Sequence, residues 1–266
     1  MSRATLFIII VFLFSSCSTG SGHAATKNDS LSIFAAASLT DAFSEIGEQY
    51  QADHPDVVIH MNFASSNSLR IQIEQGAQAD IYASANTEEM DVLVRDGVIE
   101  PGSDQLFLTN SLVVVVPPDN PGRIKQLDDL KTPGLKLVLA AEEVPAGKYA
   151  RQALGKLDSL YGENYSEEVL RNLSSNEENV RLVLTKVQLG EADAGIVYTS
   201  DAISAPELIR IEIPEEYNVL AKYPISRLKN ASHPEAAVSF INFVLSPPGQ
   251  DILKKWGFTP VHPATP

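Results

Sequence analysis

Four short stretches place small polar residues directly after apolar runs and directly before helical patterns: FAAASLTD (34–41), FASSNSL (63–69), EEVPAGKYARQAL (142–154) and SSNEENV (174–180). A helix start exposes backbone N–H groups that lack an intrahelical acceptor and carries about half a positive charge, so it can hold an anion without a cationic side chain. Serine hydroxyls in the first two turns add further donors. The chemistry within reach is capture of a small oxyanion at the ends of several strands. Taken singly, such residues are more commonly helix caps, worth about 0.5 to 2 kcal/mol each. It is their recurrence, each time between a strand and a helix, that points to a ligand.

The rest of the sequence supplies little that would turn over a substrate. The five histidines, His23, His54, His60, His233 and His262, stand beside prolines, in a polar leader or in a strand-like run, without paired metal-ligand spacing, and no GxSxG elbow occurs. They read as surface or structural groups, so no enzyme, no cofactor and no cation-binding metal site is expected. Net charge is -14 with no basic stripe, which argues against nucleic acid. That bulk charge also repels anions at long range, so an anion site must work through local geometry.

The elements that must position these turns alternate strand and helix. Strand-like runs occur at 31–37, 57–63, 80–84, 112–116, 135–140, 195–198 and 208–213. Helical stripes are formed by Ala42, Phe43, Ile46 and Tyr50, closed by the His54-Pro55 step; by Tyr149, Ala150, Ala153 and Leu157; by Val180, Val183, Leu184 and Val187, stopped by Gly190; and by Ala237, Phe240, Ile241, Val244 and Leu245. The order is α/β. Candidate boundaries stand at Thr109-Asn110-Ser111 and around 221–225; taken as interdomain crossings they give one lobe from 31–109 plus 225–266 and a second from 110–224, a split that periodicity alone does not establish.

The N-terminus carries Arg3, an apolar run from Leu6 to Phe14, two serines and Cys17, the only cysteine. The run is too short to span a bilayer and has the layout of a secretory signal over 1–16. Cys17 at its end resembles a bacterial lipoprotein site, with Phe14 where a leucine is usual; ordinary cleavage near Ala24 or Ala25 is the alternative. A small, polar stretch over 17–30 then reads as a tether holding an exported domain to the membrane through lipid on Cys17. With one cysteine, no internal disulfide is possible.

FAAASLTD, FASSNSL, QGAQADIYASA, EEVPAGKYARQAL, ENVRLVL and GEADAGIVYTSDA follow the order and spacing of the molybdate-binding proteins of ABC transporters, and the resemblance extends from Leu31 to about Phe258. It implies a two-lobed periplasmic-binding-protein fold of type II, each lobe a mixed sheet flanked by helices. Molybdate or tungstate would lie in the cleft, and a permease and an ATPase would be partners of a monomer. The implied ligand contacts are the hydroxyls of Ser38, Ser66 and Tyr198 and the backbone N–H groups of Ala146 and Val180, with Ala85 lining the same pocket; molybdenum would be bound as its oxyanion. Asn67 stands where relatives often have a third serine, which removes one contact from the pattern. Sulfate with the same fold, or an oxyanion sensor without transport, are the rival readings. The tail from Thr259 to Pro266 lies beyond the resemblance.

Overall fold

The computed structural model describes residues 29–261. The signal sequence, Cys17 and nearly all of the tether lie outside those residues, as does the tail after Val261.

Two mixed sheets organise the chain. The first has six strands in the order β11-β4-β10-β3-β1-β2: β1 (Asp29–Ala36), β2 (Val57–Ala64), β3 (Ile81–Ala83), β4 (Gln105–Asn110), β10 (Ala221–Arg227) and β11 (Thr259–Pro260). The parallel strands β2, β1 and β3 are joined by α1 (Thr40–Asp53) and α2 (Ser66–Glu74), and α3 (Thr87–Arg95) follows β3. The second sheet has five strands in the order β7-β6-β8-β5-β9: β5 (Leu112–Val116), β6 (Leu137–Ala140), β7 (Leu173–Glu177), β8 (Ala194–Tyr198) and β9 (Ile209–Glu212). Its helices are α4 (Pro145–Tyr161), α5 (Tyr165–Leu170), α6 (Val180–Gln188) and α7 (Thr199–Ile203). This is the two-lobed α/β architecture expected from the sequence.

The apolar stripes behave as core. Ala42, Phe43, Ile46 and Tyr50 bury one face of α1, and the helix ends at His54, because the residue before a proline is pushed out of the helical region. Val180, Val183, Leu184 and Val187 bury one face of α6. Leu112 to Val116 is buried throughout, as a strand covered on both faces must be. Two C-terminal helices, α8 (Pro234–Leu245) and α9 (Pro247–Lys255), return to the first sheet, where α8 packs on β10 and β1 and α9 on α1. Tyr149 alone among the α4 stripe is half-exposed.

Two stretches differ from the sequence reading. Residues 174–177 are not part of a turn but most of β7, an edge strand paired only with β6; its Ser-Ser-Asn-Glu composition hides it because one edge and one face are solvated. Residues 221–225 belong to β10, which lies inside the first sheet and pairs antiparallel with both β3 and β4. A proline in a run argues against an interior strand. Here Pro224 sits at a register shift between Tyr223 and Pro224, where the missing N–H is tolerated. The chain thus passes to the second sheet through Ser111 and returns between Glu212 and Ala221.

Candidate functional site

All four polar turns, and two more, meet in one cavity between the sheets. Ser38 follows β1 in a short 3-10 turn (Ala37–Leu39), Ser66 opens α2 after β2, and Ala85 follows β3. From the other sheet come Ala146 in the first turn of α4, Val180 at the start of α6, and Tyr198 at the end of β8. Every one of these positions lies at or just beyond the C-terminal end of a strand, where ligands of open α/β sheets lie. All six line the same space. Asn67 is not among its lining residues.

The serines are not caps. Ser65 stands at the N-cap of α2 but makes no side-chain cap bond; its hydroxyl donates to Ser68 Oγ at 2.8 Å. The 3-10 turn of Ser38 and helix α4 also start without a side-chain cap. Asn179 caps α6, but its side chain accepts from the N–H groups of Arg181 and Leu182 and leaves that of Val180 out. Among the described residues, side-chain capping is therefore absent at the Ser38 turn and at the starts of α2 and α4, which leaves first-turn N–H groups without a capping partner.

The hydroxyls of Ser66 and Tyr198 each keep a proton to give, and that of Ser38 does when Tyr223 is the donor. Ser66 Oγ accepts the N–H of Ala85 at 2.9 Å, which occupies a lone pair and leaves the hydroxyl proton free. The Ser66 carbonyl accepts from the buried Tyr82 hydroxyl at 2.9 Å, fixing the turn. Ser38 Oγ lies 2.8 Å from Tyr223 Oη; with Tyr223 donating, Ser38 can donate onward. Tyr198 is 1% exposed, yet its hydroxyl is buried with no hydrogen-bond partner among the described residues. Burial holds the Tyr198 hydroxyl well above the usual phenol range, with Tyr223 adding to the shift, so it stays a protonated donor.

Among the described residues, no lining side chain is charged. The cavity measures about 20 Å³ at the centres of water-sized spheres, where a single water needs about 10 to 15. The space admits only a few heavy atoms. Gly147 lets α4 start this close: a Cβ there would meet the carbonyl oxygens of Ala141 and Ala140 at 2.0 and 2.3 Å. A wider depression, about 470 Å³ on the same measure, lies between residues 128–133 and 168–172. Its polar groups are engaged: Lys131 pairs with Asp128, and the Asn172 amide donates to the carbonyls of Leu130 and Thr132. No group of His, Cys, Asp and Glu among the described residues could hold a metal cation.

Sequence reasoning missed the supports. Tyr82 and Tyr223 support the donors, and a polar tip on a fully buried ring was their only signal, while Asn179, directly before the apolar stripe of α6, carried the signal of an N-cap. Asp201 is the other: it is fully buried on α7 and accepts the N–H of Tyr198 at 3.2 Å. Burial raises its carboxyl to about pH 6, against the opposing pull of Arg181.

Residues 31–259 match the family of bacterial extracellular solute-binding proteins. Among curated relatives, the molybdate-binding protein ModA of Mycobacterium tuberculosis is 39% identical over 230 residues, covering 86% of this chain and 84% of that protein. The putative ABC transporter substrate-binding lipoprotein YvgL of Bacillus subtilis is 32% identical over 261 residues, 97% of this chain and 96% of that one. Among solved structures, the substrate-binding domain of a putative molybdenum ABC transporter from Clostridium difficile superposes with a TM-score of 0.66 at 33% identity, covering 88% of this chain and 99% of that chain. The sulfate-binding protein SubI of Mycobacterium tuberculosis gives a TM-score of 0.77 at 18% identity, over 88% of each chain, a likeness of fold alone.

Proposed function

This chain belongs to the bacterial extracellular solute-binding proteins, and on that footing we propose that it captures molybdate, or tungstate, outside the cytoplasm and delivers it to an ABC permease driven by an ATPase. The carrying observation is the buried Tyr198 hydroxyl, without a hydrogen-bond partner among the described residues, on a residue lining a cavity with no charged side chain among its described lining. Ser38, Ser66 and Tyr198 give hydroxyl protons, and Ala146 and Val180 give backbone N–H groups. Ala85 serves by holding Ser66. A fully deprotonated dianion has only acceptors and satisfies such a set, whereas a protonated phosphate brings a donor that meets no acceptor. The names of the relatives at 39% and 33% identity support molybdate over sulfate.

The ligand is cargo, bound as an oxyanion and not through cation ligands, and the protein works as a monomer without catalysis. The lobes are 31–109 with the C-terminal part and the intervening segment, moving about the two crossings. Lipid on Cys17 holds the domain at the membrane, a reading supported by the lipoprotein among the relatives.

Thermal unfolding tests the ligand. A ligand that binds only the folded state stabilises it by RT ln(1 + [L]/Kd), about 4 kcal/mol at a thousandfold excess over Kd. Molybdate and tungstate should raise the melting temperature while sulfate and phosphate hardly move it, because the shorter bonds of sulfate leave donors of one lobe unmet, at about 1 to 3 kcal/mol each. Equal stabilisation by sulfate overturns the choice of ligand, and no shift with any oxyanion overturns the function.

A further inference from the structure

The charges nearest the cavity stand one step behind its wall, and one of them spans it. Arg181 follows Val180 on α6. Its Nη2 donates to Asp41 Oδ2 on α1, in the same turn region as Ser38. Its Nε lies 2.8 Å from Asp201 Oδ1 on α7, and its Nη1 donates to Ser204 Oγ at 3.1 Å. Asp201 in turn accepts the N–H of Tyr198. A single guanidinium therefore links the segment bearing Ser38, which belongs to the first sheet, to those bearing Val180 and Tyr198, which belong to the second.

A second ion pair crosses on the other flank, Lys148 Nζ to Glu88 Oε2 at 2.5 Å. The two are not equivalent. Lys148 and Glu88 are 38% and 58% exposed, so water and salt screen them and they contribute little. Arg181 and Asp41 are 23% and 30% exposed, and Asp201 is not exposed at all. The sheltered bridge is the one that can bias the position of the halves.

Resting on the oxyanion reading of the cavity, we propose that Arg181 is a positioning residue whose detachable partner is Asp41: the Arg181–Asp41 contact forms as the two halves close and sets how long the ligand is held. Asp201 is the permanent partner. It lies on α7, which packs against the α6 of Arg181 beside the second sheet, so when the halves part the guanidinium keeps one carboxylate and no charge is stranded in the interior. Asp41, at the start of α1, is then free to hydrate. In the closed state the Asp41 charge is taken up by the guanidinium and does not face the anion. Contacts made only after closure act on escape and not on arrival, as for charge pairs buried at an interface.

The test uses Asp41→Asn, which removes the detachable contact and leaves Asp201 neutralised, and Asp41→Glu, which restores the charge. In stopped-flow measurements with molybdate, Asp41→Asn should speed dissociation about fivefold to tenfold with association within about twofold of the wild type. Asp41→Glu should bring dissociation back toward the wild-type rate. Without ligand, small-angle scattering at low salt should give a larger radius for Asp41→Asn than for the wild type. Unchanged dissociation with normal molybdate binding overturns the bridge and leaves the oxyanion reading standing, as does a change confined to association, which would make Asp41 a steering charge. If the wild type binds no molybdate, the oxyanion reading falls, and the ligand-free scattering alone decides the bridge: equal radii at low salt overturn it.

Discussion

Replacing Tyr198 by phenylalanine should move binding and ligand-free stability in opposite directions. The ring is 1% exposed, packed edge-on against Tyr223 with centroids 5.9 Å apart, and phenylalanine preserves that packing. What is lost is a hydroxyl that is buried and has no hydrogen-bond partner among the described residues. With the anion bound, that hydroxyl makes one charge-assisted hydrogen bond worth about 1.5 to 3 kcal/mol, so Kd should rise by about tenfold to a hundredfold. Without ligand the same deletion removes a desolvated polar group, a gain of up to about 1 to 3 kcal/mol, or a few degrees at about 2 to 4 °C per kcal/mol for a chain of this size. A water in the cavity would shrink that gain toward zero without reversing it. Tyr223→Phe is the control, since it breaks a bond to Ser38 and should lower ligand-free stability. Calorimetric titration with molybdate and melting curves without it provide both readings. A ligand-free melting point clearly below the wild type, or a Kd changed less than twofold, would refute the assignment of Tyr198.

Asp201 gives a prediction in pH. Burial raises its folded carboxyl from 3.8 to about 6, so between about pH 4 and pH 6 the folded state holds a proton that the unfolded state has released, and its contribution to stability falls as pH rises through that window, by on the order of 3 kcal/mol. Urea unfolding of the wild type relative to Asp201→Asn should show the wild type favoured more at pH 4 than at pH 7; a constant or reversed difference refutes the shift. Gly147→Ala should push α4 away from the carbonyls of Ala140 and Ala141 and weaken molybdate binding more than tenfold in the same titration, about 1.4 kcal/mol or more; an unchanged Kd would mean the helix start is not a ligand donor. Cys17→Ser should release the protein from membranes into the soluble fraction, and persistent membrane association would refute the lipid anchor.

The parts legible in the sequence are those whose cause is local. A stripe repeating every three to four residues buries one helix face whatever lies opposite, so α1, α6 and α8 could be read directly. The apolar runs of β1 and β5 are buried on both faces and needed no knowledge of their neighbours. The polar turns were visible for the same reason, since a strand that ends in small hydroxyl residues and restarts as a helix exposes donors by its own geometry. Strands defined by their neighbours were not visible. β7 is a strand because β6 offers it one edge, and β10 holds Pro224 inside a sheet because a register shift removes the need for its N–H.

The charged residues show why the site was only half legible. Asp41, Arg181 and Asp201 all lie inside FAAASLTD, ENVRLVL and GIVYTSDA, the strings that pointed to an anion, yet each reads alone as a solvated helix residue. Asp201 is instead fully buried, and Arg181 reaches a carboxylate 140 positions away. The value of such a pairing depends on both partners losing water together, a property of the closed fold and of neither segment. The donors that meet the ligand can be neutral and local because helix starts carry them ready-made. On the proposed reading, holding two lobes around that ligand needs a contact between distant segments, which accounts for the Arg181 bridge standing behind the cavity.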